Sequence, residues 1–347
     1  MIIPKSGMNN NFTILRLALA WLVFVGHFKI LAGGHNLSFP FIYADVAVDG
    51  FFVVSGYLIT SSFDSDGSLR RFFTRRLFRL YPLYLTVVLL QAVAMACVAQ
   101  GSLRELLHDM LVYVLANAVF LNFLYPDVAN VVAGLPVPAI NPSLWTLKIE
   151  VGFYLVLPFL WMLVRRYGNW LLAAIFVLSI GYSYAMHRLG LPELAKQLPG
   201  QMQYFVLGMA LYRYRDDIPA ASTLTSRLLW GAAILASFVF VSIEIRAPVI
   251  YPLAMAVVVF GVACRTWPLD VRLDLSYGIY LVHGPILQLS QVVGWYQNSA
   301  VGFFSIAVVV IGIALLAERT IERPFIAVGK RLSRRGSRAE VALAGAG

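Results

Sequence analysis

Apolar stretches approaching twenty residues recur along almost the whole chain, at about 12–32, 43–62, 79–99, 143–164, 169–187, 201–214, 227–244, 249–264, 273–293 and 300–318. A helix rises 1.5 Å per residue, so most of these runs can cross about 30 Å of hydrocarbon. In lipid the backbone must satisfy its own hydrogen bonds, which leaves helices or closed barrels, and long continuous apolar runs select helices. With 60% hydrophobic and 13% charged residues among 347, a soluble globular fold is excluded. The runs at 201–214 and 249–264 are the short ones. Residues 101–141 form one long connection. Its own apolar stretch, LLHDMLVYVLANAVFLNFLY, reads as an interfacial or re-entrant helix, or as an eleventh span.

Charge decides between those counts. A formal net charge of +10 would suggest nucleic acid if it clustered on a soluble domain, but here the cations fall between the apolar runs. With a cytoplasmic N-terminus, the inner loops collect Lys5, Arg70, Arg71, Arg75, Arg76, Arg79, Arg165, Arg166, Arg213, Arg215, Arg227, Arg265 and Arg272. The end of the chain adds Arg319, Arg323, Lys330, Arg331, Arg334, Arg335 and Arg338. The outer side keeps only Lys29, Arg104, Arg188, Lys196 and Arg246, while Arg16 and Lys148 lie inside spans. Twenty against five follows the positive-inside rule, and an eleventh span would invert everything after residue 125. The reading is therefore an all-α polytopic helical bundle of about ten transmembrane helices, both termini cytoplasmic. Residues 1–325 form the membrane domain and 326–347 a basic, disordered cytoplasmic tail that touches anionic lipid.

The first run is expected to be a retained span, because Arg16 interrupts it and no small-residue cleavage pattern closes it. Cys97 and Cys264 lack metal-ligand or CxxC spacing, and on this topology they lie near opposite faces, so no disulfide and no metal are expected.

Against this apolar background the ionisable residues stand out. Arg16 and His27 are eleven residues apart in FTILRLALAWLVFVGHFKIL. That spacing is about three turns, which puts them on one face roughly 16 Å apart along the axis. Such groups usually face a bundle interior or wet cavity where they act. An imidazole titrating near neutrality suits His27 to general-base work. Asp45 and Asp49 share a face of the second span. Asp45 reads as the cap of the helix start, whereas Asp49 is a candidate to orient the imidazole. Ser55–Gly56 follows within an apolar helix and reads as a close helix crossing, not a nucleophile elbow.

The loop RRFFTRRLFRLYPLY holds five arginines within ten positions. Topology alone asks for basic residues there, yet arginines interleaved with aromatic rings also suit a phosphorylated donor, with Arg75, Arg76 and Arg79 as its ligands. Glu150 lies about two turns into the fourth span, where it needs a partner on another helix, either structural or functional. Lys148 stands two residues earlier and His283, seven residues after Ser276, reads as a hydrogen-bonded core histidine.

Taken in order, these segments resemble the acyltransferase-3 family of bacterial multispan O-acyltransferases. An Arg and a His separated by ten residues are met by Arg16 and His27. VDxFFVxSGYLI is met from Val48 to Ile59, and R-x-x-P-x-Y by Arg79, Pro82 and Tyr84. W-S-L-x-x-E-x-x-F-Y is met by Trp145, Thr146, Leu147, Glu150, Phe153 and Tyr154, with Thr in place of Ser. S-Y-x-I-Y-L-x-H is met by Ser276, Tyr277, Ile279, Tyr280, Leu281 and His283, and E-R-P-F by residues Glu322 to Phe325. Lys148 puts a cation where members often carry Ser, either to tune acceptor charge or to pair with a carboxylate.

The resemblance implies an enzyme of the bacterial inner membrane with no bound cofactor. It would move an acyl group, commonly acetyl, from cytoplasmic acyl-CoA to a hydroxyl of an extracytoplasmic glycan. The resemblance also implies that the Arg16 and His27 pair is essential; Asp49 or Glu150 is expected to assist His27 in catalysis, and Trp145, Tyr277 and His283 are further candidates. The esterase-like extracytoplasmic domain of some members is not expected. The rival reading is a glycan or lipid flippase that uses the intramembrane Arg, His and Glu as a substrate path, but no paired broken spans support it.

Overall fold

The computed structural model describes residues 11–31, 44–242, 247–267, 269, 271 and 273–344, with side chains to Arg334. Of the basic residues that set the orientation, Lys5, Arg246 and Arg272 lie outside the described residues, as do the side chains of Arg335 and Arg338. Among the described residues the fold is helical, with no strand. The helices are α1 (Phe12–Leu31), α2 (Ala44–Asp64), α3 (Leu69–Val98), α4 (Leu103–Ala118), α5 (Leu144–Tyr167), α6 (Trp170–Arg188) and α7 (Pro192–Ala195). Then come α8 (Leu198–Arg213), α9 (Leu224–Ser242), α10 (Ile250–Cys264), α11 (Ser276–Val292), α12 (Ala300–Ala317) and α13 (Arg323–Ala344). One π-helical turn, Glu318–Glu322, joins the last two without a break.

Each of the ten apolar stretches contains a helix. Seven are long and apolar enough to span a bilayer: α1, α2, α3, α5, α6, α9 and the continuous helix Ala300–Arg334. The other three, α8, α10 and α11, have 16, 15 and 17 residues. Lipid as the solvent explains the surface: α6 exposes Val177 and Leu178, and α9 exposes Leu228, Leu229, Leu235 and Phe238. Polar groups lie inward instead, including Gln201 and Gln203 on α8 and His283, Gln288 and Ser290 on α11.

The chain divides into two compact units. The first comprises the described residues of Met1–Leu22, Phe41–Gly67 and Ile149–Asp274. Its α2 and α8 cross closely at two glycines. A Cβ on Gly56 would stand 2.1 Å from the Phe205 carbonyl oxygen, and one on Gly208 2.1 Å from that of Val53. The small-residue reading of Ser55–Gly56 is thus realised through Gly56. At the end of α2, Asp64 accepts hydrogen bonds from Trp161 (2.7 Å), Tyr212 (3.0 Å) and Arg165 (3.2 Å).

The second unit comprises the described residues of Val23–Pro40, Ser68–Lys148 and Leu275–Gly347. Two expectations are corrected here. The basic segment Arg70–Arg79 is not a loop: Ser68 caps α3, accepting from the Arg71 amide at 3.4 Å, and the arginines occupy its opening turns. No Gly or Pro interrupts that run before Pro82, so nothing stops helix formation. The segment from residue 326, expected to be disordered, is helical as α13 and packs on α3. Gly329 makes this contact possible, since a Cβ there would lie 2.7 Å from the Phe78 Cβ, and Phe325 stacks on Phe78.

The long connection after α4 is held from within. Asp127 accepts from the Val128 and Val132 amides at 2.7 and 2.8 Å. Burial pushes its carboxyl above the usual carboxylate range, and those backbone bonds pull it back. The connection closes on Asn141, which matters for the site below.

Candidate active site

The polar centre of the second unit is built around His283. Because α11 contains Pro285, which has no N–H, the Leu281 carbonyl loses its helical donor. Asn141 Nδ2 replaces that donor at 2.9 Å. The Asn141 Oδ1 then accepts from the Ser143 amide at 3.2 Å, which sets Ser143 at the start of α5. There the Ser143 Oγ lies 3.2 Å from His283 Nε2.

His283 Nε2 also meets His27 Nδ1 at 2.8 Å, with 5.0 Å between the ring centroids and 17° between the ring planes. The remaining nitrogen, Nδ1, lies 2.9 Å from the Ile279 carbonyl oxygen. His283 is 0% exposed, whereas His27 is only partly buried. Of the two imidazoles, His27 is the more exposed. Around them, Thr146 and Tyr280 share a 2.5 Å hydroxyl contact, and Thr146 Oγ1 donates to the Ser143 carbonyl at 2.9 Å. Thr in place of Ser therefore keeps the hydroxyl that this contact uses.

The other expected residues distribute as follows. Tyr277 Oη donates to the Leu80 carbonyl at 2.8 Å, and Trp145 is half-buried. Lys148 Nζ sits 4.6 Å over the Phe123 ring. Among the arginines, Arg75 Nε donates to the Arg71 carbonyl at 3.1 Å and Arg76 lies 5.5 Å over Phe72. Arg79 follows one turn later on the same helix.

In the first unit, Arg16 is paired with Asp274 at 2.5 Å, just ahead of α11. Asp49 is buried and accepts from Tyr251 Oη at 3.0 Å. Glu150 was expected to find a partner on another helix. Instead it accepts from Tyr154 Oη at 2.6 Å, one turn along its own helix, because a tyrosine at i+4 satisfies the carboxylate locally. Asp45 is exposed in the first turn of α2.

Sequence reasoning missed Asn141, Ser143 and Asp274. The run Asn141-Pro142-Ser143 just before Trp145 was a legible polar helix start, and Asp274 was an acid at the edge of the Ser276 element. Nothing local in the sequence marks the pairing of His27 with His283, which are 256 residues apart.

These features are those of an integral membrane protein with a buried polar centre. The chain belongs to the acyltransferase-3 family, whose acyltransferase domain matches residues 9–319. It is an acyltransferase of the non-aminoacyl kind, which decides between the enzyme and transporter readings. Nodulation protein 10 of Rhizobium leguminosarum bv. viciae is 29% identical over 330 residues, 84% of this chain and 86% of that protein. Acyltransferase MdmB of Streptomyces mycarofaciens is 31% identical over 125 residues, 35% of this chain and 29% of that protein. An O-acetyl transferase of Shigella phage Sf6 is 28% identical over 153 residues, 43% of this chain and 44% of that protein. No solved structure matches the chain.

Proposed function

We propose that this membrane O-acyltransferase moves an acetyl group from cytoplasmic acetyl-CoA to a hydroxyl of an extracytoplasmic glycan, through about ten spans with both termini in the cytoplasm of a bacterial inner membrane. The observation that carries the reading is the 2.8 Å bond between His27 and His283, which braces a partly accessible imidazole against a buried one. The phage relative, named as an O-acetyl transferase, supports an acetyl group and an oxygen acceptor.

In this mechanism His27 removes the acceptor's hydroxyl proton as its oxygen attacks the thioester carbonyl. The new C–O bond forms, the C–S bond breaks, and the proton passes from His27 to the departing coenzyme A thiolate. General-base action of this kind is worth about 10²–10⁴ in rate. Arg16, three turns before His27 on α1, is held by Asp274 and offers a fixed cation to the donor or to the oxyanion. Asp49 and Glu150, each fixed by a tyrosine hydroxyl, supply electrostatic support. Arg75, Arg76 and Arg79 bind the phosphates of coenzyme A, with which arginine makes charge-assisted bonds.

Sealed vesicles of known orientation test the sidedness. Acetyl-CoA should be used only from the cytoplasmic face, and Arg75→Ala or Arg76→Ala should raise the donor KM more than the acceptor's. Use of donor from the outer face would refute the proposal. Unchanged donor kinetics in both variants would return the arginines to a purely topological role.

A further inference from the structure

The hydrogen bonds around His283 determine where its protons sit. Its Nδ1 lies 2.9 Å from the Ile279 carbonyl oxygen, an atom that can only accept, so Nδ1 carries a hydrogen. The ring is fully buried, and its hydrogen-bond partners are that carbonyl, an imidazole and a hydroxyl. None of these is an anion, and a buried charge without one is costly, so the ring is neutral. In a neutral ring with Nδ1–H, the Nε2 is an acceptor. His27 Nδ1 stands 2.8 Å away and must therefore be the donor.

We propose that His283 is a positioning residue for the acyl transfer: it holds His27 in the Nδ1–H tautomer, so that Nε2 of His27 is the nitrogen that exchanges a proton with the acceptor hydroxyl. When His27 becomes an imidazolium, Nδ1–H continues to donate to His283, which needs no rearrangement. A buried carboxylate does this in acyl-transfer triads, fixing tautomer and orientation without taking the proton itself. Here a neutral imidazole does it, suited to a site where a second charge would have to be buried. The ring planes lie 17° apart and the centroids 5.0 Å apart, so the two imidazoles meet nearly edge to edge, as an in-plane N–H···N bond requires. Ser143 Oγ, at the longer 3.2 Å, is a secondary donor to the same Nε2.

The kinetic half of this inference rests on the proposed acyl transfer; the tautomer half does not, and the two are measured separately. The tautomer is read by ¹⁵N NMR of the full chain labelled at its 5 histidines, with the His27 signals identified by their loss in His27→Gln. His27 should show a protonated Nδ1 and an unprotonated Nε2. Replacement by His283→Gln keeps an acceptor where Nε2 stood, and should keep both the tautomer and most of kcat. His283→Phe keeps an aromatic ring but no acceptor. It should release His27 to the other tautomer and lower kcat by about 10²-fold or more, with the acetyl-CoA KM unchanged. Ser143→Ala should leave the tautomer in place.

A packing role alone would lower the yield of folded protein and would not separate Gln from Phe. An Nε2–H tautomer in the wild-type protein would overturn the proposal, as would full kcat in His283→Phe. If the tautomer is as stated while acetyl-CoA is not consumed, the acetyl-transfer reading fails and the positioning of His27 stands.

Discussion

Asn141 offers a perturbation whose size can be worked out in advance. Pro285 strips the Leu281 carbonyl of its helical partner, and Asn141 Nδ2 restores one at 2.9 Å. Both residues are buried, at 4% exposure for Asn141 and 0% for Leu281, so no water can substitute cheaply. Asn141→Ala should therefore destabilise by about 1–3 kcal/mol, the penalty of an unpaired buried carbonyl. The same substitution also removes the bonds to Gln91 and to the Ser143 amide, so the single variant does not isolate the Leu281 term. A double-mutant cycle does. Pro285→Ala returns an N–H to α11 within reach of Leu281, and in that background the cost of losing Asn141 should fall by about 1 kcal/mol or more. The bonds to Gln91 and Ser143 are lost in both backgrounds and cancel. Reversible unfolding in mixed detergent micelles supplies the four free energies. Additivity within about 0.5 kcal/mol would refute the brace.

Two further outcomes follow from the fold. Gly208→Ala should reduce stability and accumulation well beyond an ordinary small-to-large change of about 1–3 kcal/mol, because its Cβ would meet backbone of α2 at 2.1 Å; normal thermal stability would contradict the close crossing. Reporter fusions after Phe63, Arg166, Arg215, Arg265 and Lys330 should report cytoplasm and fusions near Asn36, Ala129, Glu193 and Ser299 the outside, whereas an external signal at Lys330 would remove the ten-span topology.

The spans were legible because lipid turns composition into structure: a run such as AVGFFSIAVVVIGIALLA can only be a helix across or within the bilayer. His27 was legible as a candidate too, because Arg16 and His27 interrupt an apolar helix. What sequence periodicity cannot carry is the partner of a polar group. His27 pairs with a residue 256 positions away, and Arg16 with one 258 positions away. Glu150 reverses the error: a partner was sought on another helix when Tyr154 stood one turn along. The segment from Arg70 to Arg79 was misread as a loop because charge marks a membrane boundary, not the end of a helix. In the same way the segment after residue 325 looked too polar to fold, yet Gly329 and Phe325 give α13 a face that packs on Phe78.

The proposed chemistry depends most on His27. Acetyl transfer from acetyl-CoA, measured with purified protein in lipid at matched, folded protein levels, is its most direct test. His27→Ala should lower the rate by about 10²–10⁴ while the protein still inserts and unfolds like the wild type. Full activity in His27→Ala would contradict the assignment of this imidazole as the base, and with it the mechanism built on the His27–His283 pair.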